Sequence, residues 1–202
     1  MIIHDVEQQT EAWYSLRCGI ASASNFAKIV TSKGIGATGE TRKKYLYQLA
    51  AESITGEKEQ SYTNAAMQHG IDTEPKAREM YEFMRECKVQ EVGFCMADGG
   101  RYGVSPDGFV GLDGLIEIKC PLAQTHVKYI LDNKLPTTYF QQVQGQLFVT
   151  ERDWCDFMSY VPKMRPFITR VYPDLEFHKK LEKELDKFCD ELVILINKIK
   201  GE

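Results

Sequence analysis

The spacing of apolar residues changes at Val92, and that change narrows the folds open to the chain more than any other feature. Before it, Tyr45, Leu46, Leu49 and Ile54 fall on one side of a helix predicted over Thr41–Ile54, with Arg42, Lys43 and Glu52 elsewhere on its surface. A shorter helix is expected to open at Ser22 or Ser24. Another is expected at Thr73, where a capping hydroxyl precedes Glu74 and Pro75 and Ala77, Met80, Tyr81 and Met84 repeat at helical spacing. Beyond Val92 the period is two. Val92, Phe94 and Met96 alternate, Arg101–Val104 runs into the turn Ser105-Pro106-Asp107-Gly108, and Phe109–Gly111 leads through Asp113-Gly114 into Leu115–Cys120, which predicts a three-stranded meander. A helix around Thr137–Phe148, strands at Trp154–Val161 and Phe167–Tyr172, and a long helix over Leu175–Ile199 complete the pattern. Helix, strands, helix, strands is the order of an α/β sandwich with a central mixed sheet flanked by helices, not of a repeating β-α-β unit.

With 202 residues, 43% hydrophobic and 27% charged, the chain suits a single domain over 1–202 with a substantial core. Met1–Thr10 carries His4, Asp5 and Glu7 where a signal peptide needs an apolar run, and the longest aliphatic stretch, Leu192–Ile196, is too short to span a bilayer. A soluble, cytoplasmic protein with no membrane partner is expected. The six cysteines lack C-x-x-C spacing, so they read as reduced thiols and not as a metal cluster. A net charge of −4 excludes a broad basic surface that would hold nucleic acid nonspecifically, and any DNA contact has to be local. Thr31–Gly39, with three glycines, reads as a flexible loop and a candidate flap.

The pattern that carries chemistry is Pro106-Asp107 followed, across a hairpin, by Glu117-Ile118-Lys119. On a strand, Glu117 and Lys119 share one face while Ile116 and Ile118 take the other, and Asp107 stands where the adjacent strand leaves its turn. Two carboxylates so close repel unless a cation lies between them, and a hard divalent ion with oxygen ligands suits both. Mg²⁺ is the natural occupant, and such a centre fits phosphodiester hydrolysis with Lys119 positioning or deprotonating the attacking water. Glu74 is either a further ligand or a first-turn glutamate favoured by the helix dipole. Gln142 and Gln146, four apart, are either a polar helix face or a second row of groups on the cleft. Arg17 with Ser22 and Ser24 has the composition of a phosphate site, although capping alone also accounts for the serines. The four histidines show no ligand spacing and read as structural or exposed.

Taken together, these residues resemble the lambda-type phage exonucleases, also called YqaJ-like viral recombinases, of the PD-(D/E)xK nuclease superfamily. The likeness lies in Ala12-Trp13 through Leu16-Arg17 and Gly19, Ala23-Ser24, Gly70 with Glu74, Ser105-Pro106-Asp107-Gly108, Glu117-Ile118-Lys119-Cys120-Pro121, and Tyr139 followed by Gln142-Val143-Gln144. The resemblance implies a restriction-endonuclease-like core. It implies that Asp107, Glu117 and the main-chain carbonyl of Ile118 bind Mg²⁺, or Mn²⁺ in its place, that Glu74 (from behind the ligands or through a water) and Gln142 complete the site, and that Lys119 is the catalytic amine. Arg17, Ser24 and Ser105 would hold the 5′-phosphate, and Asp98, at a spacing shifted by one, would be a further acid near the metal. It also implies an alkaline-type exonuclease that digests the 5′-ended strand of double-stranded DNA ends and leaves 3′ overhangs. Such enzymes are homotrimeric rings that act with a phage single-strand annealing protein in a bacterial host, and a ring around DNA needs no strongly basic surface.

Two other readings fit the same residues. A structure-specific or restriction-like endonuclease on this core would nick closed circles. A non-cutting recombination adaptor would use Leu181, Leu185, Phe188, Leu192, Leu195 and Ile199, an apolar seam that either docks a partner or packs on its own sheet.

Overall fold

The structure, a computed structural model, describes residues 1–58 and 65–202. In chain order its elements are β1 (Ile2–His4), α1 (Glu11–Leu16), β2 (Ala21–Ser22), a 3-10 helix (Ala23–Lys28), α2 (Glu40–Thr55), α3 (Ala65–Arg85), β3 (Val89–Gln90), β4 (Phe94–Met96), β5 (Tyr102–Val104), β6 (Gly108–Val110) and β7 (Gly114–Lys119). There follow α4 (Ala123–Asp132), a 3-10 turn (Thr137–Tyr139), α5 (Phe140–Thr150), β8 (Trp154–Ser159), β9 (Phe167–Val171) and α6 (Leu175–Lys200).

The mixed α/β architecture expected from the alternation of periods is present, with two mixed sheets. The central one has the order β3-β6-β7-β8-β9, all neighbours antiparallel except β7 and β8, which run parallel. A smaller sheet, β1-β4-β5-β2, stands beside it. The expected three-stranded meander is therefore corrected: β5 pairs with β4 and β2 in the small sheet, whereas β6 pairs with β7 in the central one. Ser105-Pro106-Asp107 is the crossing between them. Its proline lacks an N–H for a ladder, which suits a chain that leaves one sheet and enters another.

β7 is buried on both faces, as its nearly continuous apolar run requires of a central strand. Ile116 and Ile118 pack with Ala77 and Tyr81 of α3 and Met158 of β8. Leu115 belongs to the larger core on the other face, with Val143 and Leu147 of α5, Phe157 of β8 and Leu181, Leu185 and Phe188 of α6. The seam on α6 is thus largely an internal contact, made with α2 and α5, and only its end, Ile199, is exposed. Asp174 caps α6 by accepting the Phe177 N–H at 2.9 Å, and Gly201 closes it in the left-handed region at φ 80°.

Several local readings shift. α3 starts at Ala65 and not at Thr73, which is buried mid-helix, and Pro75 lies inside the helix. A cap-like Thr-Glu-Pro does not end a helix whose next turns, at Ala77 and Tyr81, are anchored by burial against the sheet. α4 had no counterpart in the sequence reading. The flap candidate Thr31–Gly39 folds back on itself through Thr31 N–H to Ile35 O (2.8 Å) and Ala37 N–H to Ile29 O (2.7 Å).

Candidate active site

β7 presents Glu117 and Lys119 on the face covered by α5, and the register Gly108↔Ile116 sets Asp107 beside Glu117 at the end of the β6–β7 ladder. Asp107 Oδ2 accepts the Ile118 N–H at 2.5 Å, a bond that orients the carboxylate across the strand end. Glu117 is fully buried. Its Oε1 accepts from Gln142 at 2.6 Å and pairs closely with the Lys119 ammonium, while Oε2 accepts from Gln146 at 2.6 Å. Both glutamines therefore face Glu117 and do not form a solvated polar face. Lys119 Nζ also stands 5.5 Å from the centre of the Tyr139 ring.

The charges here strain one another. Burial, then repulsion from Glu117, pushes the Asp107 carboxyl well above the usual carboxylate range. Burial likewise raises Glu74, against the pull of Arg78 and Lys119. Burial alone would lower the Lys119 ammonium, but the carboxylates of Glu117 and Asp107 outweigh it and hold the amine above its ordinary value. Lys119 is accordingly a cation, and it can serve as a base only once the neighbouring negative charge has been offset. Glu74 feels this cluster from α3 but is hydrogen-bonded to Arg78 at 2.9 Å, and Arg78 also pairs with Glu91 at 2.7 Å.

Among the described residues no three His, Cys, Asp or Glu side chains converge into a ready metal cage. The donors that fit an ion are the carboxylates of Asp107 and Glu117, hard oxygens whose mutual repulsion a cation relieves. A short protein donor set suits Mg²⁺, which keeps several waters and binds through one or two carboxylates. Asp98 has no part in this cluster: it is exposed and pairs with the Met1 amine at 2.5 Å.

A second cluster is built on α1. Arg17 follows Trp13 by one helical turn, so its guanidinium lies 3.9 Å above the indole ring. Its Nη2 donates to Ser22 Oγ at 3.2 Å, and Ser22 Oγ is 3.3 Å from Ser24 Oγ. Ser22 starts the 3-10 helix without a side-chain cap, so its hydroxyl serves this cluster and not the helix end. Arg17 Nε is buried without a hydrogen-bond partner among the described residues. Burial lowers Arg17 to about 10, so it stays charged at neutral pH. Ser105 joins through the Trp13 indole N–H, which donates to its Oγ at 3.0 Å.

Sequence reasoning missed two groups that hold the backbone beside these clusters. Gln8 donates to Pro106 O at 2.9 Å and Val92 O at 2.7 Å, fixing the crossing between Ser105 and Asp107. Buried Glu52 accepts the Gly19 N–H at 3.0 Å and holds the turn after Arg17. Gly19 sits at φ 70°, and a Cβ there would lie 2.2 Å from Ser53 Oγ. Trp13 was named within the Ala12–Arg17 likeness, and its place four residues before Arg17 is the local signal of the stack; Gln8 had no such signal.

A family model described as the YqaJ-like viral recombinase domain matches residues 12–153. Among solved structures, the alkaline exonuclease LHK-Exo from Laribacter hongkongensis, determined also in complex with dAMP, is 36% identical, covers 95% of this chain and 97% of its own, and superposes with a TM-score of 0.87. A phage-related exonuclease from Haemophilus somnus 129PT, at 16% identity, 88% and 96% coverage and a TM-score of 0.67, shares the fold. The uncharacterized protein R354 of Acanthamoeba polyphaga mimivirus is 35% identical over 110 residues, which are 48% of this chain; the chain spans 20% of that protein's length.

Proposed function

The chain belongs to the YqaJ-like viral recombinase family, and on that premise we propose that it is a Mg²⁺-dependent exonuclease that digests the 5′-ended strand of double-stranded DNA from its end. One observation carries this reading: the acid and amine cluster Asp107–Glu117–Lys119 and the Arg17–Ser22–Ser24 cluster meet through the three-residue crossing Ser105-Pro106-Asp107. A cluster for a terminal phosphate next to a hydrolytic centre suits stepwise removal of nucleotides from a 5′ end. LHK-Exo was solved with dAMP, a deoxynucleoside monophosphate of the kind such hydrolysis releases.

Asp107 and Glu117, with the Ile118 carbonyl, would hold the ion, and Glu74 would act from its outer side. When bound, Mg²⁺ supplies Lewis-acid polarisation of the phosphoryl oxygen and lowers the pKa of water. The chain's own groups do the rest. Arg17 and the serines bind the terminal phosphate and set the register of the scissile bond. Gln142 steadies Glu117 through Oε1. Lys119, a cation between the two carboxylates, offsets charge building on the phosphoryl group and, once that negative field is neutralised, can take a proton from the attacking water.

A homotrimeric ring and a phage annealing protein as partner are part of the same proposal. Family kinship supports them, as do the exposed Met80, Phe83 and Met84 at helical spacing on α3. Among the described residues no helix is long and apolar enough to cross a membrane. Duplex DNA labelled at either end and incubated with Mg²⁺ tests direction: label should leave the 5′ end first. Release from 3′ ends only would overturn the direction, and nicking of closed circles would favour the endonuclease reading.

A further inference from the structure

The two oxygens of Glu117 are held differently. Oε1 receives Gln142 and Lys119, both half-buried. Oε2 receives Gln146, which is only 1% exposed. The glutamines project from one face of α5, a turn apart, so the carboxylate is gripped along its length. The Gln146 side-chain carbonyl, in contrast, is buried with no hydrogen-bond partner among the described residues. An aliphatic side chain of similar length would fill this space and strand no polar atom, so packing does not account for a glutamine. Nor can the amide be turned over, because its oxygen would then face a carboxylate oxygen.

We infer that Gln146 is a positioning residue: it fixes Glu117 Oε2 from the buried side, so that the carboxylate would meet a divalent ion in a rotamer already set. The inference rests on the divalent-ion reading above. Gln142 and Lys119 share Oε1, whereas among the described residues Gln146 alone holds Oε2, from the more deeply buried side. Groups that orient a metal ligand commonly govern affinity for the metal.

The test is calorimetric titration of the full chain with Mg²⁺ in the absence of DNA, for the wild type, Gln146→Met and Gln141→Met. Gln141 is the control, since its amide reaches Val30 O at 3.3 Å and not Glu117. Gln146→Met should fold and bind Mg²⁺ about 10-fold or more weakly, and raised Mg²⁺ should restore its cleavage rate. Gln141→Met should keep the wild-type Mg²⁺ affinity even if it melts earlier. An unchanged Mg²⁺ affinity in Gln146→Met, or a loss of cleavage that Mg²⁺ does not restore, overturns the assignment. Gln146→Asn, which keeps the amide but is one methylene too short to reach Oε2, carries the same expectation if the first variant does not fold. A wild type that binds no Mg²⁺ would instead remove the divalent-ion reading itself.

Discussion

If the Arg17 cluster holds the terminal phosphate, as proposed, Arg17→Ala should erase a preference for phosphorylated 5′ ends. The guanidinium is held flat on Trp13 at 3.9 Å, gives one nitrogen to Ser22, and has a buried Nε with no partner among the described residues. It is thus a preorganised cation with donor capacity to spare. A hydrogen bond to a charged group contributes about 1.5–3 kcal/mol. At about 1.4 kcal/mol per factor of ten, losing one such bond lowers kcat/KM roughly 10- to 150-fold. The fall should appear on 5′-phosphorylated duplex and be nearly absent on 5′-hydroxyl duplex, so the two substrates converge. Arg17→Lys should recover little, since an ammonium does not lie flat on the indole. The fold should survive, because stacking at such a site is worth only about 0.5–2 kcal/mol and burial already disfavours the charge. Steady-state kinetics on both end types would measure this. An equal loss on both substrates, or a wild type indifferent to the phosphate, would refute the assignment of this cluster to the terminal phosphate.

Three further outcomes are expected. Glu117→Ala should reduce cleavage by more than about 100-fold, beyond what loss of an orienting group causes. Circular dichroism should show the fold retained but less stable, because Gln142, Gln146 and Lys119 lose their shared acceptor; wild-type activity would exclude the site. In metal-free protein the raised Asp107 carboxyl binds its proton more tightly folded than unfolded, so its contribution to stability is full below the ordinary carboxylate range and is lost as pH climbs through the raised value. Thermal melts should show that decline flattened in Asp107→Asn; an identical slope would refute it. Gly145→Val should lower the melting temperature, because a Cβ there lies 2.5 Å from Phe26 Cδ2. Overpacking costs about 1–3 kcal/mol, or roughly 2–12 °C for a domain of this size, and an unchanged melt would contradict the close approach of α5 to the 3-10 helix.

The chemistry of the site was legible in the chain because its geometry is local. Glu117 and Lys119 share a face by the two-residue period of a strand, and Asp107 reaches them across one hairpin, whichever sheet that hairpin joins. Gln142 and Gln146 were legible as a pair, by helical spacing, but not as a clamp, because the acceptor between them lies on another element. The meander was misread for a related reason: alternation marks strands but carries no information on which strand pairs with which, and only the packed molecule sends β5 and β6 to different sheets. α3 is already helical at Ala65, so the cap-like Thr73 lies mid-helix, where burial of the neighbouring Ala77 and Tyr81 against β7 outweighs a local capping signal. Gln8 and Trp13, which hold the crossing Ser105-Pro106-Asp107, act across 98 and 92 residues of sequence, and Glu52, which holds the turn after Arg17, across 33. The sequence by itself determined which groups gather into one cluster of acids and an amine. How they are aimed was decided only by tertiary structure, because a side chain is oriented by whatever packs and hydrogen-bonds against it, and those partners come from distant parts of the chain.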